Sequence, residues 1–142
     1  MNIKEYIKEQ RLITDGAMGT YYEEKYSEDT VIAEKENLKN PEQIKEIHLE
    51  YLRAGARLIR TNTFAANTMF LADMQEVKET VRAGYEIAKE AVTAFQAENG
   101  KEIPVFIGAD LGPIYDLDHQ DYDNVLQEYK EICDTFLSCG AD

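Results

Sequence analysis

Cysteine, basic residues and long apolar runs are all scarce in this chain, and each scarcity excludes a class of protein. The two cysteines, Cys133 and Cys139, are too few for a disulfide framework. Six residues apart on a helix, they sit on different sides and cannot share a metal ion. Cys133 falls on an apolar stripe, so the expectation is a core-packing thiol. Fifteen Lys and Arg face 28 Asp and Glu, a formal net charge of −13. That field repels polyphosphate backbones, and no basic patch offsets it, so nucleic acid is not an expected partner. No run approaches the roughly 18 apolar residues that span a bilayer. The N-terminus, MNIKEYIKEQRL, has no apolar signal core and is not Arg/Ser-rich. The expectation is a cytoplasmic protein without a membrane partner. Its 142 residues, 44% of them hydrophobic, suffice for one domain with a real core.

The helical grammar is plain in three places. In NPEQIKEIHLEYLRAG, Asn40 is a cap candidate, Pro41 fits the first turn and Gln43 stands where a capping-box partner would. Ile44, Ile47, His48, Tyr51 and Leu52 recur at helical spacing until Gly55. His48 shares that stripe and reads as a satisfied core histidine. A second helix is expected from about Glu76 to Ala97, on Val77, Val81, Tyr85, Ala88, Val92 and Phe95. A third covers Tyr122 to Ser138, on Val125, Tyr129, Ile132 and Phe136, with Leu126, Cys133 and Leu137 beside them. Strands are expected to begin near Leu12, Leu58 and Ile103, about 45 residues apart. Helices that end in Gly and feed buried strands are the parallel α/β pattern. The helix end and Gly-Ala of YLRAGARLIRT return in the terminal FLSCGAD, where a fourth strand would begin.

In parallel α/β folds, chemistry gathers at the C-terminal ends of strands. Those ends carry Asp15-Gly16 after the first strand, Thr61-Asn62-Thr63 after the second, and Asp110-Leu111-Gly112-Pro113 after the third. Each has a plainer reading beside the functional one. Asp-Gly favours turns, threonines cap helices, and Gly-Pro shapes loops. Gly16 and Gly19 make neither a dinucleotide fingerprint nor, without a following Lys, a phosphate loop. DLDHQDYD, with four acids and His119, lacks the glycine and spacing of a calcium loop, and a solvated loop accounts for it.

Taken together, these segments resemble the homocysteine S-methyltransferase family, the zinc-dependent barrel domain also found at the front of cobalamin-dependent methionine synthase. DGAMGT (15 to 20) is similar to the family's first-strand motif. NPEQIKEIHLEYLRAGARLIRTNTF (40 to 64) is similar to its second-helix and second-strand signature. GADLGP (108 to 113) is similar to its third-strand motif, and the terminal CGAD to the lead-in to a fourth strand. The resemblance runs through the whole chain in order.

What it implies is an α/β fold, with residues 1 to 142 forming the N-terminal part, about three βα units, of a (β/α)8 TIM barrel that lacks the later strands. The implied activity is transfer of a methyl group to the zinc-activated thiolate of homocysteine, giving methionine. Asp15 matches the acid that receives the substrate ammonium, Gly16 the neighbour whose backbone approaches the amino acid, and Asn62 and Thr63 the second-strand residues lining the pocket. The family takes its zinc from cysteines on later strands. Neither Cys133 nor Cys139 matches them, so no metal ligand or catalytic residue is expected in this chain, which is expected to be inactive alone. Asp110 stands where many members have Ser, Ile114-Tyr115 where a Gly is common, and Arg57 where Asp is usual. The implied partners are homocysteine and a methyl donor: methyltetrahydrofolate through cobalamin, S-methylmethionine and betaine all suit the motifs. A downstream folate, cobalamin or reductase domain is compatible with the resemblance. The competing expectation is a non-catalytic α/β fragment or interaction module that keeps the scaffold alone. A different barrel enzyme, an aldolase or phosphate binder, is disfavoured because no lysine ends a strand.

Overall fold

The computed structural model describes residues 2–26, 32–115 and 121–142. It contains six α-helices and two short strands among them: α1 (Ile3–Glu9), α2 (Gly19–Tyr26), α3 (Glu36–Lys39), α4 (Pro41–Arg53), β1 (Leu58–Arg60), α5 (Met74–Asn99), β2 (Phe106–Gly108) and α6 (Tyr122–Ser138). A 3-10 turn, Ala33–Lys35, leads into α3.

The helix ends follow local chemistry. Asn2 and Glu5 close α1 with a reciprocal capping box. The Asp73 carboxylate accepts from the Glu76 amide at 2.9 Å and starts α5 at Met74, two residues before the expected start at Glu76. Gly55, Gly100 and Gly140, at φ 113°, 119° and 96°, end α4, α5 and α6 in a backbone region that glycine adopts at little cost. Pro41 takes the first position of α4 as expected, but the capping box does not form. The Asn40 amide instead donates to Glu36 at 2.6 Å. The Gln43 carbonyl accepts from the Tyr22 hydroxyl. Both side chains thus stitch α4 to the preceding segment.

Strands β1 and β2 run parallel, with Leu58 opposite Phe106, Ile59 opposite Ile107 and Arg60 opposite Gly108. The first expected strand is shorter than the sequence suggests. Thr14 makes one parallel bridge to Leu58, and Ile13 and Asp15 bond the Leu58 backbone on either side of it. Leu58 spends its N–H and C=O on that segment, while Arg57 and Thr61 bond β2. β1 is therefore central.

Side-chain alternation along β1 separates two faces. Ile59, fully buried, points to the helices and joins Leu52, Ala56, Ala88, Ala91 and Phe95. A second cluster joins Val77, Val81 and Tyr85 of α5 to Ile132 and Phe136 of α6. A third joins Tyr22 of α2 to Ile44, Ile47 and Ile87. On the other face, Tyr6 of α1 packs edge-on against Phe106 with centroids 5.5 Å apart. Full burial of an aliphatic side chain such as Ile59 is worth about 1.5–3 kcal/mol, so α4 and α5 hold β1 in place.

Two core expectations are overturned. Cys133 is exposed, because α6 buries only the narrow stripe of Ile132, Thr135 and Phe136. His48 is fully buried but not satisfied: neither ring nitrogen has a hydrogen-bond partner. Burial pushes its pKa down to about 4, leaving the ring neutral.

Candidate functional site

The ends of the three parallel segments converge on a cavity of about 280 Å³, near the lower bound of about 300 Å³ for small-molecule sites. Asp15, Gly16, Asn62 and Thr63, the four expected site residues, all line it, with Glu34, Arg60 and Asp110 among the rest of the wall.

Asp15-Gly16 is not a turn. The Asp15 amide continues the parallel pairing to Leu58 at 2.9 Å, and Gly16 does not adopt positive φ. A Cβ on Gly16 would lie 2.9 Å from the Tyr51 hydroxyl, which donates to the Ala17 carbonyl at 2.7 Å. Gly16 therefore permits the close approach of α4 to this loop. Burial and the Asp15 charge push the Tyr51 phenol up.

Asp15 is only 9% exposed as a whole residue, and Arg60 meets its carboxylate twice. The Arg60 amide donates to Oδ2 at 2.8 Å and Nε donates to Oδ1 at 3.0 Å. Nη2 donates to the Gly16 carbonyl at 2.9 Å. Nη1 faces Asp110 Oδ2 at 3.9 Å, beyond hydrogen-bond length. Hydrogen bonding to Asp15 holds the Arg60 pKa above its usual value. Burial pushes the Asp110 carboxyl up, Arg60 pulls it back, and Asp15 adds to the rise.

Thr61 and Thr63 are not helix caps; the next helix, α5, starts at Met74 on its own Asp73 cap. They lock β1 to the end of β2. The Asp110 amide donates to Thr61 Oγ1 at 3.0 Å, and Thr63 Oγ1 donates to the Asp110 carbonyl at 2.7 Å. The hydroxyls lie 2.6 Å apart, and these neighbours leave Thr61 to donate to Thr63. Asn62 turns its amide the other way, to the Ala33 carbonyl at 2.9 Å and Asn37 Oδ1 at 2.8 Å. Asn37 returns a bond to the Asn62 carbonyl at 2.7 Å and donates to Thr80 at 3.1 Å. Asn62 and Thr63 thus shape the wall, with their amide and hydroxyl donors spent on the protein.

Glu34, Asn37, Tyr51 and Arg60 escaped the sequence reading as site residues. Glu34 and Asn37 stand in AEKENLKN, a stretch with no periodic pattern. Arg60 left one usable signal, since alternation places it on the face opposite buried Ile59, at a strand end. Among the described residues, no group of three or more His, Cys, Asp or Glu could hold a metal ion. The cavity acids are no substitute, because the Arg60 cation stands between Asp15 and Asp110. His119 and its loop neighbours 116 to 120 lie outside the described residues.

A parallel α/β chain with an acidic, ligand-sized cavity at its strand ends is the class that this geometry defines. Residues 12–142 match the family model described as homocysteine S-methyltransferase, and the chain belongs to that family. It is 32% identical over 112 residues to the homocysteine S-methyltransferase of Escherichia coli K12, covering 75% of this chain and 36% of that protein. It is 27% identical to the methionine synthase of Mycobacterium leprae, covering 99% of this chain and 12% of that one. Two crystal structures of the Escherichia coli homocysteine methyltransferase MmuM share the fold at 26% identity. The metallated form has a TM-score of 0.77, covering 96% of this chain and 53% of that one. The oxidized form has a TM-score of 0.83, covering 99% and 54%. The chain therefore spans about half the length of these solved relatives, and less of the curated ones. No helix among the described residues is long and apolar enough to cross a membrane.

Proposed function

We propose that this chain carries the amino-acid pocket of a homocysteine S-methyltransferase, and that residues 1 to 142 are the first three βα units of a (β/α)8 barrel. The observation that carries the reading is the convergence of Asp15-Gly16, Asn62-Thr63 and Asp110 on one cavity at the strand ends. The reaction forms a bond between the homocysteine sulfur and the donor's methyl carbon as the bond from that carbon to the donor breaks; the donor leaves with the bonding electron pair, and the thiol proton is released.

Asp15 receives the substrate ammonium. Each of its oxygens accepts one bond from Arg60, and a carboxylate oxygen has a second acceptor site. A charge-assisted bond there holds the substrate by its far end and orients the sulfur. Gly16 keeps the wall low at that point, while Asn62 and Thr63 hold its shape.

Activation of the thiol is a separate requirement. A free thiol has a pKa of about 8.5, so little thiolate exists at neutral pH, and a cavity lined by carboxylates opposes its formation. Zinc, which the family resemblance implies, deprotonates a bound thiol. The described residues do not fit a zinc site, so its ligands belong to residues other than these. Alone, this chain binds without catalysing. For the methyl donor, the likeness to methionine synthase supports methyltetrahydrofolate through cobalamin, while S-methylmethionine and betaine suit the same motifs.

Asp15→Asn in the full-length protein tests the reading. It should weaken homocysteine binding roughly tenfold to a hundredfold, the range for a hydrogen bond to a charged group, with zinc content unchanged. Calorimetric titration that finds equal affinities would remove Asp15 from the site. Absence of homocysteine binding in the wild type would leave only the scaffold reading.

A further inference from the structure

We infer that Arg60 receives the α-carboxylate of the amino-acid substrate, and so restricts the site to ligands with a free carboxylate. The inference rests on the homocysteine reading and extends it to the other end of the substrate.

Charge is the first element. Of the described residues lining the cavity, Asp15, Glu34 and Asp110 are acids and Arg60 is the one cation. An α-amino acid brings an ammonium and a carboxylate together. The ammonium suits three acids. The carboxylate would be repelled by all three, and only Arg60 offers it a counter-charge.

The second element is unspent donor capacity. A guanidinium has five N–H groups in a fixed fork. Nε is spent on Asp15 and one Nη2 hydrogen on the Gly16 carbonyl. Nη1 makes no hydrogen bond among the described residues and faces Asp110 Oδ2 at 3.9 Å, and Nη2 has a second hydrogen. Nη1 and Nη2 together form the edge of a guanidinium that can grip a carboxylate with two parallel bonds. The side chain is 46% exposed while its Asp15 partner is 4% exposed. The side chain is thus anchored by Asp15 and remains half-exposed.

The third element is positioning. Arg60 is the last residue of β1, the central strand, and its own amide bonds Asp15. Backbone and side chain bond the same carboxylate, and the side chain cannot swing away without giving up its Nε bond to Asp15. Asp15 then does two jobs: it takes the ammonium and it holds the residue that takes the carboxylate.

The experiment is calorimetric titration of the full-length protein with homocysteine and with homocysteine amide, in which a carboxamide replaces the carboxylate. Wild type should bind homocysteine roughly tenfold to a hundredfold more tightly than the amide, as expected for a charge-assisted pair. Arg60→Gln should abolish that preference. Arg60→Lys keeps a charge but not the fork, and should retain only part of it. If Arg60→Gln proves unfolded by circular dichroism, the wild-type comparison with Arg60→Lys still decides. Equal wild-type affinities, or a preference that survives in both variants, would overturn the role of Arg60 and leave the homocysteine reading standing. Failure of wild type to bind either ligand would overturn both.

Discussion

At the scale of single residues, this chain is most constrained where backbone segments approach each other at the cavity rim. Gly112 shows it best. Its amide donates to the Phe64 carbonyl at 3.0 Å, and a Cβ there would collide with that same carbonyl. Its φ is not positive, so contact, not backbone conformation, demands glycine. Gly112→Ala should cost about 1–3 kcal/mol, the usual range for overpacking, read as a lower urea midpoint with an unchanged slope. A stability equal to wild type would mean that the third-strand loop moves freely away from Phe64. Gly16 differs in that its close neighbour is the end of the Tyr51 side chain, which can shift.

At the scale of elements, α4 carries a cost that its sequence pattern conceals. His48 occupies a core position among isoleucines, and period-3.6 spacing anticipates its burial. Spacing says nothing about hydrogen bonds, and both ring nitrogens are unpartnered. The folded pKa, about 4, lies below the ordinary value of about 6.5. The unfolded chain therefore binds a proton that the folded one refuses. The contribution is fully present above pH 6.5 and is lost as pH falls from 6.5 to 4, on the order of 3 kcal/mol in all. His48→Phe should flatten the urea stability profile in that window, whereas an unchanged slope would mean that the buried ring is protonated after all. The ends of β1 and β2 tell a similar story. Thr61, Asn62 and Thr63 were legible as a polar cluster at a strand end. Their division into a lock on Asp110 and a brace for Asn37 depends on which neighbours the fold brings up.

At the scale of the whole molecule, the unpaired sheet edges are the dominant feature. β1 is central, and among the described residues neither the Ile13–Asp15 segment nor β2 has a partner on its outer edge. Phe64, Met69, Phe70, Leu111 and Tyr115 are exposed beyond the strand ends. Unpaired edges and apolar patches favour association. Residues 1 to 142 expressed by themselves should self-associate in sedimentation experiments. A monomer with one sharp melting transition would argue against the barrel-portion proposal. Metal analysis separates the same alternatives from the chemical side. One zinc in the full-length protein and none in these 142 residues is the expected result, and zinc in neither would point to a scaffold without the chemistry.

The sequence by itself determined the local elements, because their causes are local. Helical spacing placed α4, α5 and α6, glycines at Gly55, Gly100 and Gly140 ended them, and the order of helix and strand implied parallel pairing. It also placed Asp15, Gly16, Asn62 and Thr63 at strand ends, through motifs that carry a family likeness. Only the tertiary structure decided what those residues do to one another. Arg60 lies 45 positions from Asp15 along the chain, yet they share an ion pair in the fold. Asn37 meets Asn62 across 25 positions. The exposure of Cys133 and the unpaired ring of His48 also depend on what packs against each helix. Periodicity reports which face a residue occupies; the partner on that face comes from elsewhere in the chain, and folding supplies it.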